Sequence, residues 1–128
     1  MTSEEPRKLR AQGSFFGRRK GPKRGAHQAR LITTLLPRLT IDIDAPAPQR
    51  GAAMFDAAVT AVRLEIGFGG GEHLLAEADT SPATGFVGCE PYLNGMAKIL
   101  ARLDAQPRRN VKLFAGDAAD LLAWVHRS

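Results

Sequence analysis

Cysteine and aromatic residues are scarce in this chain, which has one cysteine, one tryptophan and one tyrosine among 128 residues. The single cysteine, Cys89, cannot form an internal disulfide, so a reducing compartment such as the cytoplasm is favoured. No apolar run approaches the roughly 20 residues that cross a bilayer, and the first residues lack the apolar core of a secretory signal. The three histidines show no metal-ligand spacing, so we expect no metal site. Cys89 lies in an apolar run, which predicts a buried structural thiol.

Positive charge is concentrated at the start of the chain. Residues 1–30 contain nine basic and two acidic residues, whereas the rest of the chain contains nine basic and eleven acidic ones. A basic arm suits a polyanion such as nucleic acid or an anionic membrane surface, although a solvated tail has the same composition. We interpret residues 1–50 as a basic arm and linker, and residues 51–128 as the folded unit.

The segment before residue 60 gives weak structural signals. Residues 26–36 predict a short amphipathic helix that ends before Pro37. Residues 41–44 alternate like a short strand, which Pro46 and Pro48 end. Residues 45–51 are interpreted as a linker, and residues 52–59 fit either a short helix or an approach to the next strand.

From residue 62 onwards, strands and helices alternate. Apolar runs predict strands at 62–68, 86–90 and 111–115, and helical spacing predicts helices at 72–78, 92–103 and 118–126. Leu121, Leu122 and Val125 are expected to face inward, and Tyr92 and Trp124 to be packing residues. A βαβαβα order implies parallel pairing with right-handed crossovers, hence an α/β fold.

The strongest local signal is a glycine-rich turn between the first of these strands and its helix. Gly67, Gly69 and Gly71 form a G-x-G-x-G pattern, which allows a tight turn and lets a ligand approach the backbone. The dinucleotide pattern G-x-G-x-x-G would place Glu72 at its third position, where the side chain would crowd the helix–strand contact and repel a pyrophosphate. The G-x-G-x-G pattern fits better and resembles that of Rossmann-like methyltransferases that bind S-adenosylmethionine (SAM), a resemblance that implies SAM rather than NAD.

Acidic residues occur near the ends of all three predicted strands. Glu65 precedes the glycines, where it suits the ammonium group of SAM better than a diphosphate. Glu90 is placed to accept hydrogen bonds from ribose hydroxyls, and Asp117 from an adenine amine. Each has an ordinary alternative: an edge-strand position for Glu65, and a helix-capping role for Glu90 and Asp117. We expect the three carboxylates to line one crevice at the carboxyl edge of the sheet.

These residues resemble one family, the bacterial tRNA (guanine-N7-)-methyltransferases. The arm with Phe16-Gly17-Arg18-Arg19 looks like that family's N-terminal arm. The run Leu64-Glu65-Ile66-Gly67-Phe68-Gly69-Gly70-Gly71-Glu72-His73-Leu74 looks like its first motif. The runs Phe86-Val87-Gly88-Cys89-Glu90-Pro91-Tyr92 and Gly116-Asp117-Ala118 resemble the ends of its second and third strands.

The resemblance implies a Rossmann-like fold and methyl transfer from SAM to N7 of a guanine in tRNA. It carries the family's SAM-contacting groups onto Glu65, Gly67, Gly69, Gly71, Glu90 and Asp117. The tRNA phosphates would be held by the basic arm, through Arg18, Arg19, Lys20, Lys23 and Arg24. An NAD-dependent oxidoreductase, another SAM-dependent methyltransferase acting on rRNA, protein or a small molecule, and a non-catalytic RNA-binding module stay open. So does the choice between a monomer and a weak homo-oligomer.

One departure from the family concerns its fourth strand. That strand is followed by a lysine-rich Pro-Asp-Pro-Trp-type motif, which supplies the catalytic acid and part of the guanine site. Nothing in this sequence matches it, and the chain ends at Ser128, about where that strand would begin. We therefore expect a fragment that contains the first half of the sheet, with its first strand as an exposed edge. The catalytic acid is expected beyond Ser128, and no catalytic residue is assigned within the chain.

The first prediction is that the 128-residue chain alone does not methylate tRNA, because the expected catalytic acid is missing from it. Incubation with methyl-labelled SAM and tRNA measures this directly. Label transferred to tRNA by this chain would contradict the prediction.

Overall fold

The computed structural model describes residues 22–126, with the side chains of residues 22–24 left out of the description. The segments 1–21 and 127–128 lie outside it. In chain order, the helices and strands are α1 (Pro22–Thr34), α2 (Leu36–Leu39), a 3-10 turn (Gly51–Met54), β1 (Ala61–Ile66), α3 (Glu72–Thr80), β2 (Thr84–Cys89), α4 (Leu93–Ala105), β3 (Val111–Phe114) and α5 (Ala118–His126).

The three strands form one parallel sheet in the order β1-β2-β3. In its register, Ile66 of β1 is opposite Cys89 of β2, which is opposite Phe114 of β3. The carboxyl ends of all three strands therefore lie at one edge of the sheet. The predicted α/β fold, the first half of a Rossmann-like sheet, is confirmed.

One face of the sheet is covered by α1, α3 and α4. These helices pack against Phe86, Val111 and Leu113 of the strands, and full burial of each Leu, Ile or Phe contributes roughly 1.5–3 kcal/mol. The helix residues of this cluster are Leu31, Leu74, Leu75, Ala78, Met96, Ile99, Leu100 and Leu103. Both crossovers, through α3 and α4, lie on this face because each moves the chain one strand further in the same direction.

The opposite face is covered by α5 and by the segment before β1. Leu121 and Trp124 of α5 pack there with Val87 and Cys89 of β2. The remaining buried members are Ile41, Phe55 and Val59. Cys89 is fully buried, as predicted for a structural thiol. The chain thus changes face after β3, which is the arrangement of a doubly wound sheet.

Among the described residues, β1 is an edge strand that pairs only with β2. Ile66 is 63% exposed and Val62 is also exposed. Leu122 and Val125 of α5 are exposed too, so the prediction that they face inward is wrong. The buried residues of α5 are Leu121 and Trp124, which lie three residues apart on one side of the helix, and the partly buried Ala118 packs with them. The expected exposed edge at the first strand is confirmed.

The segment before β1 differs from its prediction in three ways. The first helix, α1, begins earlier than predicted, at Pro22. The chain becomes helical again after Leu35, where Pro37 lies in the first turn of α2. Proline is tolerated there because the N–H that it lacks would have no partner within the helix. Residues 41–44 form no strand: pairing is limited to the bridge of Thr40 with Leu113, and the Asp44 N–H donates to Asp42 Oδ1 in a local turn. The residues 52–59, for which the sequence left a short helix or an approach to the strand open, form part of the 3-10 turn up to Met54 and then irregular backbone with bends at Asp56 and Ala57.

The division of the chain at residue 50 stays a prediction. The structure adds that part of the first segment packs into the core, since Leu31 and Ile41 are buried in the two clusters.

No described helix combines the length and apolar character needed to cross a membrane. Within residues 22–126, no group of three or more His, Cys, Asp or Glu side chains is placed to hold a metal ion.

The amide of Asn110 joins the turn after α3 to the start of β2. Its buried nitrogen donates to the carbonyl oxygens of Ala78, Ser81 and Thr84 at 3.1, 3.3 and 3.0 Å. Asn110→Ala would remove this donor from the carbonyls of Ala78 and Thr84, whereas that of Ser81 would keep the Thr84 N–H, so we expect the free energy of unfolding to fall by about 1–3 kcal/mol.

Urea denaturation measures this effect. Asn94→Ala removes the same amide from an exposed position of α4 and is the matched control, with an expected change within about 0.5 kcal/mol. Equal losses in the two variants would contradict the structural role of Asn110.

Candidate functional site

The bend between β1 and α3 uses a backbone conformation that favours glycine. Gly67, Gly69 and Gly71 have φ angles of 67°, 63° and 88°, in the left-handed region. Gly70, the fourth glycine of the loop, is not among these positive-φ residues. The three glycines of the predicted G-x-G-x-G pattern are therefore the ones that the turn requires.

These three glycines are surrounded differently. An ideal Cβ at Gly67 or Gly69 would meet no heavy atom within 4 Å, so both present bare backbone to open space. A Cβ at Gly71 would lie 2.5 Å from Cγ1 of Ile99 on α4. Gly71 is thus needed for close helix packing, whereas Gly67 and Gly69 leave room for a ligand to approach the backbone.

Glu72 does not occupy the position that its sequence spacing predicted. Its side chain is 73% exposed and accepts a hydrogen bond from Arg102 of α4 at 2.9 Å. The crowded contact next to the loop is made by Gly71 with Ile99, one residue earlier. The expectation that Glu72 would crowd the helix–strand contact is wrong, because the first turn of α3 points this side chain to solvent.

Glu90 is buried at the end of β2, with 6% of its surface exposed. Its Oε1 accepts the Gly69 N–H at 3.3 Å, and its Oε2 accepts the Tyr92 N–H at 3.2 Å. One carboxylate therefore joins the glycine loop to the start of α4. Each of its oxygens has a second lone pair, so Glu90 has acceptor capacity left for ligand hydroxyls.

Asp117 follows β3 and is exposed. Its Oδ1 accepts the Ala119 N–H at 2.9 Å in the first turn of α5, which is the capping interaction considered as its alternative role. Among residues 22–126, no hydrogen bond joins its other oxygen, Oδ2, to a protein group, which leaves that oxygen for a ligand amine. Capping and ligand binding are compatible for this carboxylate.

Glu65 is half-buried near the end of β1, opposite Gly88 of β2. Leu64 packs with Val87 on the face of the sheet that α5 covers. Because successive side chains of a strand point to opposite faces, Glu65 lies on the face that carries α3 and α4. The structure therefore places Glu65 near the end of β1, Glu90 directly after β2 and Asp117 in the loop after β3, all at the carboxyl edge of the same sheet. Their binding roles stay predictions.

The predicted RNA contacts lie mostly outside the described residues. Arg18, Arg19 and Lys20 belong to the segment 1–21, and Lys23 and Arg24 lie in α1 at positions described by backbone alone.

Sequence reasoning missed two residues beside the glycine loop. Tyr92 was predicted to pack, yet it is 73% exposed at the rim, one residue before α4. Its position directly after Glu90-Pro91, at a strand-to-helix junction, is the signal that could have indicated this. Gly95 lies in the first turn of α4, where an ideal Cβ would be 2.5 Å from the carbonyl oxygen of Gly69. No local pattern in the sequence indicates that contact.

The pKa of the Cys89 thiol depends on its surroundings at this edge of the sheet. Burial, and to a smaller extent the carboxylates of Asp117 and Glu90, together raise the pKa of its thiol from an ordinary 9.0 to about 11. Two of the three candidate carboxylates are therefore close enough to oppose negative charge at Cys89. A positively charged ligand would be favoured at the same place.

This shift predicts a pH dependence of stability. The thiol of the unfolded chain ionises near pH 9, whereas the folded chain keeps it neutral to about pH 11. The stabilising contribution is complete below pH 9 and is lost as the pH rises towards 11. We expect the free energy of unfolding to fall more steeply over this window in the unsubstituted chain than in Cys89→Ala. Parallel pH profiles in urea denaturation would contradict this.

Comparison with known proteins adds a family. The family model described as "Putative methyltransferase" matches residues 59–127, which is more than half of the chain and includes β1 to α5. A solved structure titled "Structure of an antibiotic related Methyltransferase" shares 20% identity with a TM-score of 0.43, over 48% of this chain and 33% of that one. That similarity is too low to bear on function.

Curated relatives have higher identities. The "tRNA (guanine-N(7)-)-methyltransferase" of Rhodopseudomonas palustris strain BisA53 is 63% identical over 93% of this chain and 48% of its own length. The protein of that name from strain BisB5 is 68% identical, over 89% of this chain and 44% of its own length. The protein of that name from Brucella anthropi is 54% identical, over 96% of this chain and 53% of its own length.

The chain spans about half the length of the curated relatives it matches. The resemblance found in the arm and the three strand ends is confirmed by these identities. By the match of the family model over more than half of its residues, the chain belongs to the methyltransferase family described as "Putative methyltransferase".

Proposed function

We propose that this chain is the SAM-binding front part of an enzyme that methylates N7 of a guanine in tRNA. The observation that carries the proposal is the glycine bend, open at Gly67 and Gly69 and bonded to the buried carboxylate of Glu90. It occurs in a chain 54–68% identical to proteins named for that activity. The cytoplasm, where tRNA is abundant, is the proposed compartment.

The residues at the carboxyl edge fit SAM chemically. Bare backbone at Gly67 and Gly69 leaves space for close approach, and the nearby carboxylates suit a ligand with an ammonium and a sulfonium. Glu65 would accept hydrogen bonds from the ammonium, Glu90 from the ribose hydroxyls, and Asp117 from the adenine amine. Gly71 would support the loop from behind through its contact with Ile99.

Bound SAM supplies an electrophilic methyl group on a positively charged sulfur. Guanine N7 has a free lone pair, so its attack needs no general base. The part played by this chain is then to hold the donor in a fixed place and to stabilise its positive charge, which positioning and oriented carboxylates achieve. No residue of this chain is assigned to proton transfer.

The basic arm is the proposed contact for tRNA. Arg18, Arg19, Lys20, Lys23 and Arg24 would hold backbone phosphates, and such contacts orient the RNA without specifying a base. In this proposal residues 1–50 serve RNA binding and residues 51–128 serve SAM binding, with Leu31 and Ile41 fixing the first segment to the second.

Binding of SAM by the 128-residue chain, measured by isothermal titration calorimetry, tests the proposal. We expect Glu65→Gln and Glu90→Gln each to weaken SAM at least about tenfold, because a hydrogen bond to a charged group contributes roughly 1.5–3 kcal/mol. Glu72→Gln is the matched control: it removes a charge beside the same loop, at an exposed ion pair, and should change the affinity by no more than about twofold.

Three outcomes would contradict the proposal in distinguishable ways. Tighter binding of NAD than of SAM would favour an oxidoreductase. Binding of tRNA that weakens steeply with salt, without any SAM affinity, would favour a non-catalytic RNA-binding module. Equal losses in the Glu72 and Glu90 variants would remove the assigned role of the crevice carboxylates.

A further inference from the structure

The first turn of α4 lies directly against the glycine loop. An ideal Cβ at Gly95 would be 2.5 Å from the carbonyl oxygen of Gly69, and 3.2 and 3.3 Å from Cγ and Cδ of Glu90. The nearest of these atoms belongs to the backbone, so it cannot move away by a change of side-chain rotamer. Any side chain at Gly95 would have to displace the loop or the helix.

The same helix face supports the loop at three successive positions. Besides Gly95 at Gly69, the Cδ of Lys98 would be 3.5 Å from a Cβ at Gly70, and Ile99 limits the space at Gly71. Residues 95, 98 and 99 are neighbours on one side of a helix. Helix α4 is therefore the surface against which the loop takes its shape, and Gly95 is the position where the helix meets the loop backbone itself, at the carbonyl oxygen of Gly69.

Gly95 also lies beside the hydrogen bonds that join the loop to the helix. Glu90 accepts the N–H groups of Gly69 and Tyr92, so its carboxylate bridges the two elements that Gly95 brings together. A shift of α4 away from the loop would lengthen the bond from Gly69 to Glu90. It would also turn the carboxylate that is proposed to hold the ribose.

We propose that Gly95 is a positioning residue for the methyl donor. It does not contact SAM; it allows α4 to close on the glycine loop, which fixes the backbone of Gly69 and the orientation of Glu90 together. This inference rests on the proposed function for its ligand, but the placement of the loop that it describes is measurable without any ligand.

The test compares three Gly→Ala variants of the 128-residue chain. Gly95→Ala should weaken SAM at least about fivefold in calorimetry. It should also accelerate hydrogen exchange of the Gly69 amide in the ligand-free chain, since the bond to Glu90 is lost. Gly85→Ala is the matched control, because its Cβ would be equally close, 2.5 Å, to the ring of Phe55 at the other end of β2.

Gly85→Ala should lower the melting temperature while leaving the SAM affinity and the exchange at Gly69 unchanged. Gly25→Ala, where a Cβ meets nothing within 4 Å, should leave all three quantities unchanged or raise the melting temperature slightly. Equal effects of Gly95→Ala and Gly85→Ala on SAM affinity would overturn the positioning role, as would unchanged exchange at Gly69 in Gly95→Ala.

A milder pair of variants covers the case in which Gly95→Ala does not fold. Lys98 is exposed, and its aliphatic carbons lie beside Gly70. Lys98→Ala removes these carbons and should accelerate hydrogen exchange of the Gly71 amide. Lys98→Met retains most of them and should leave that exchange rate unchanged. Identical exchange in the two would overturn support of the loop by this helix face. Absence of SAM binding by the unsubstituted chain would overturn the proposed cofactor. The rate of hydrogen exchange of the Gly69 amide in Gly95→Ala would still decide whether Gly95 positions the loop.

Discussion

The turn from β1 into α3 is the constraint on which the rest of the site depends. Its backbone enters the left-handed region at Gly67, Gly69 and Gly71, a sequence of conformations that side chains strongly disfavour. Helix α4 closes it from behind, and the carboxylate of Glu90 bonds to it from β2. Local conformation, helix packing and a buried hydrogen bond thus select the same loop shape, and such agreement is what produces a single well-defined structure.

The topology decides where this loop can act. Parallel pairing brings the ends of β1, β2 and β3 to one edge, so acids far apart in sequence share a border with the glycines. The chain crosses to the other face after β3, as in doubly wound sheets, and in such sheets a ligand lies outside the carboxyl ends of the strands. Cys89 ends β2 beside this border, where burial and, to a smaller extent, the carboxylates of Asp117 and Glu90 raise the pKa of its thiol.

The parts that were predictable from sequence are those with local causes. The glycine bend, the three strands and the helices that follow them have short-range signals, and each was found within a few residues of its position. Contacts between distant segments had no such signal. Thr40 pairs with Leu113 for one bridge, too little for the strand that alternation suggested. Tyr92 is exposed although aromatic residues are usually buried, and Gly95 is close to Gly69 only through the docking of α4.

The packing of α1 against α4 has a consequence for synthesis of the protein. Leu31 shares its core cluster with Leu100, which the ribosome adds roughly 70 residues later, and at about 5–20 residues per second the delay is several seconds. During that time the apolar side of α1 has no partner on the nascent chain, so it is available to chaperones and prone to aggregation. Helix α1, the first of the described helices to be synthesised, thus waits for α4 before its apolar side is buried.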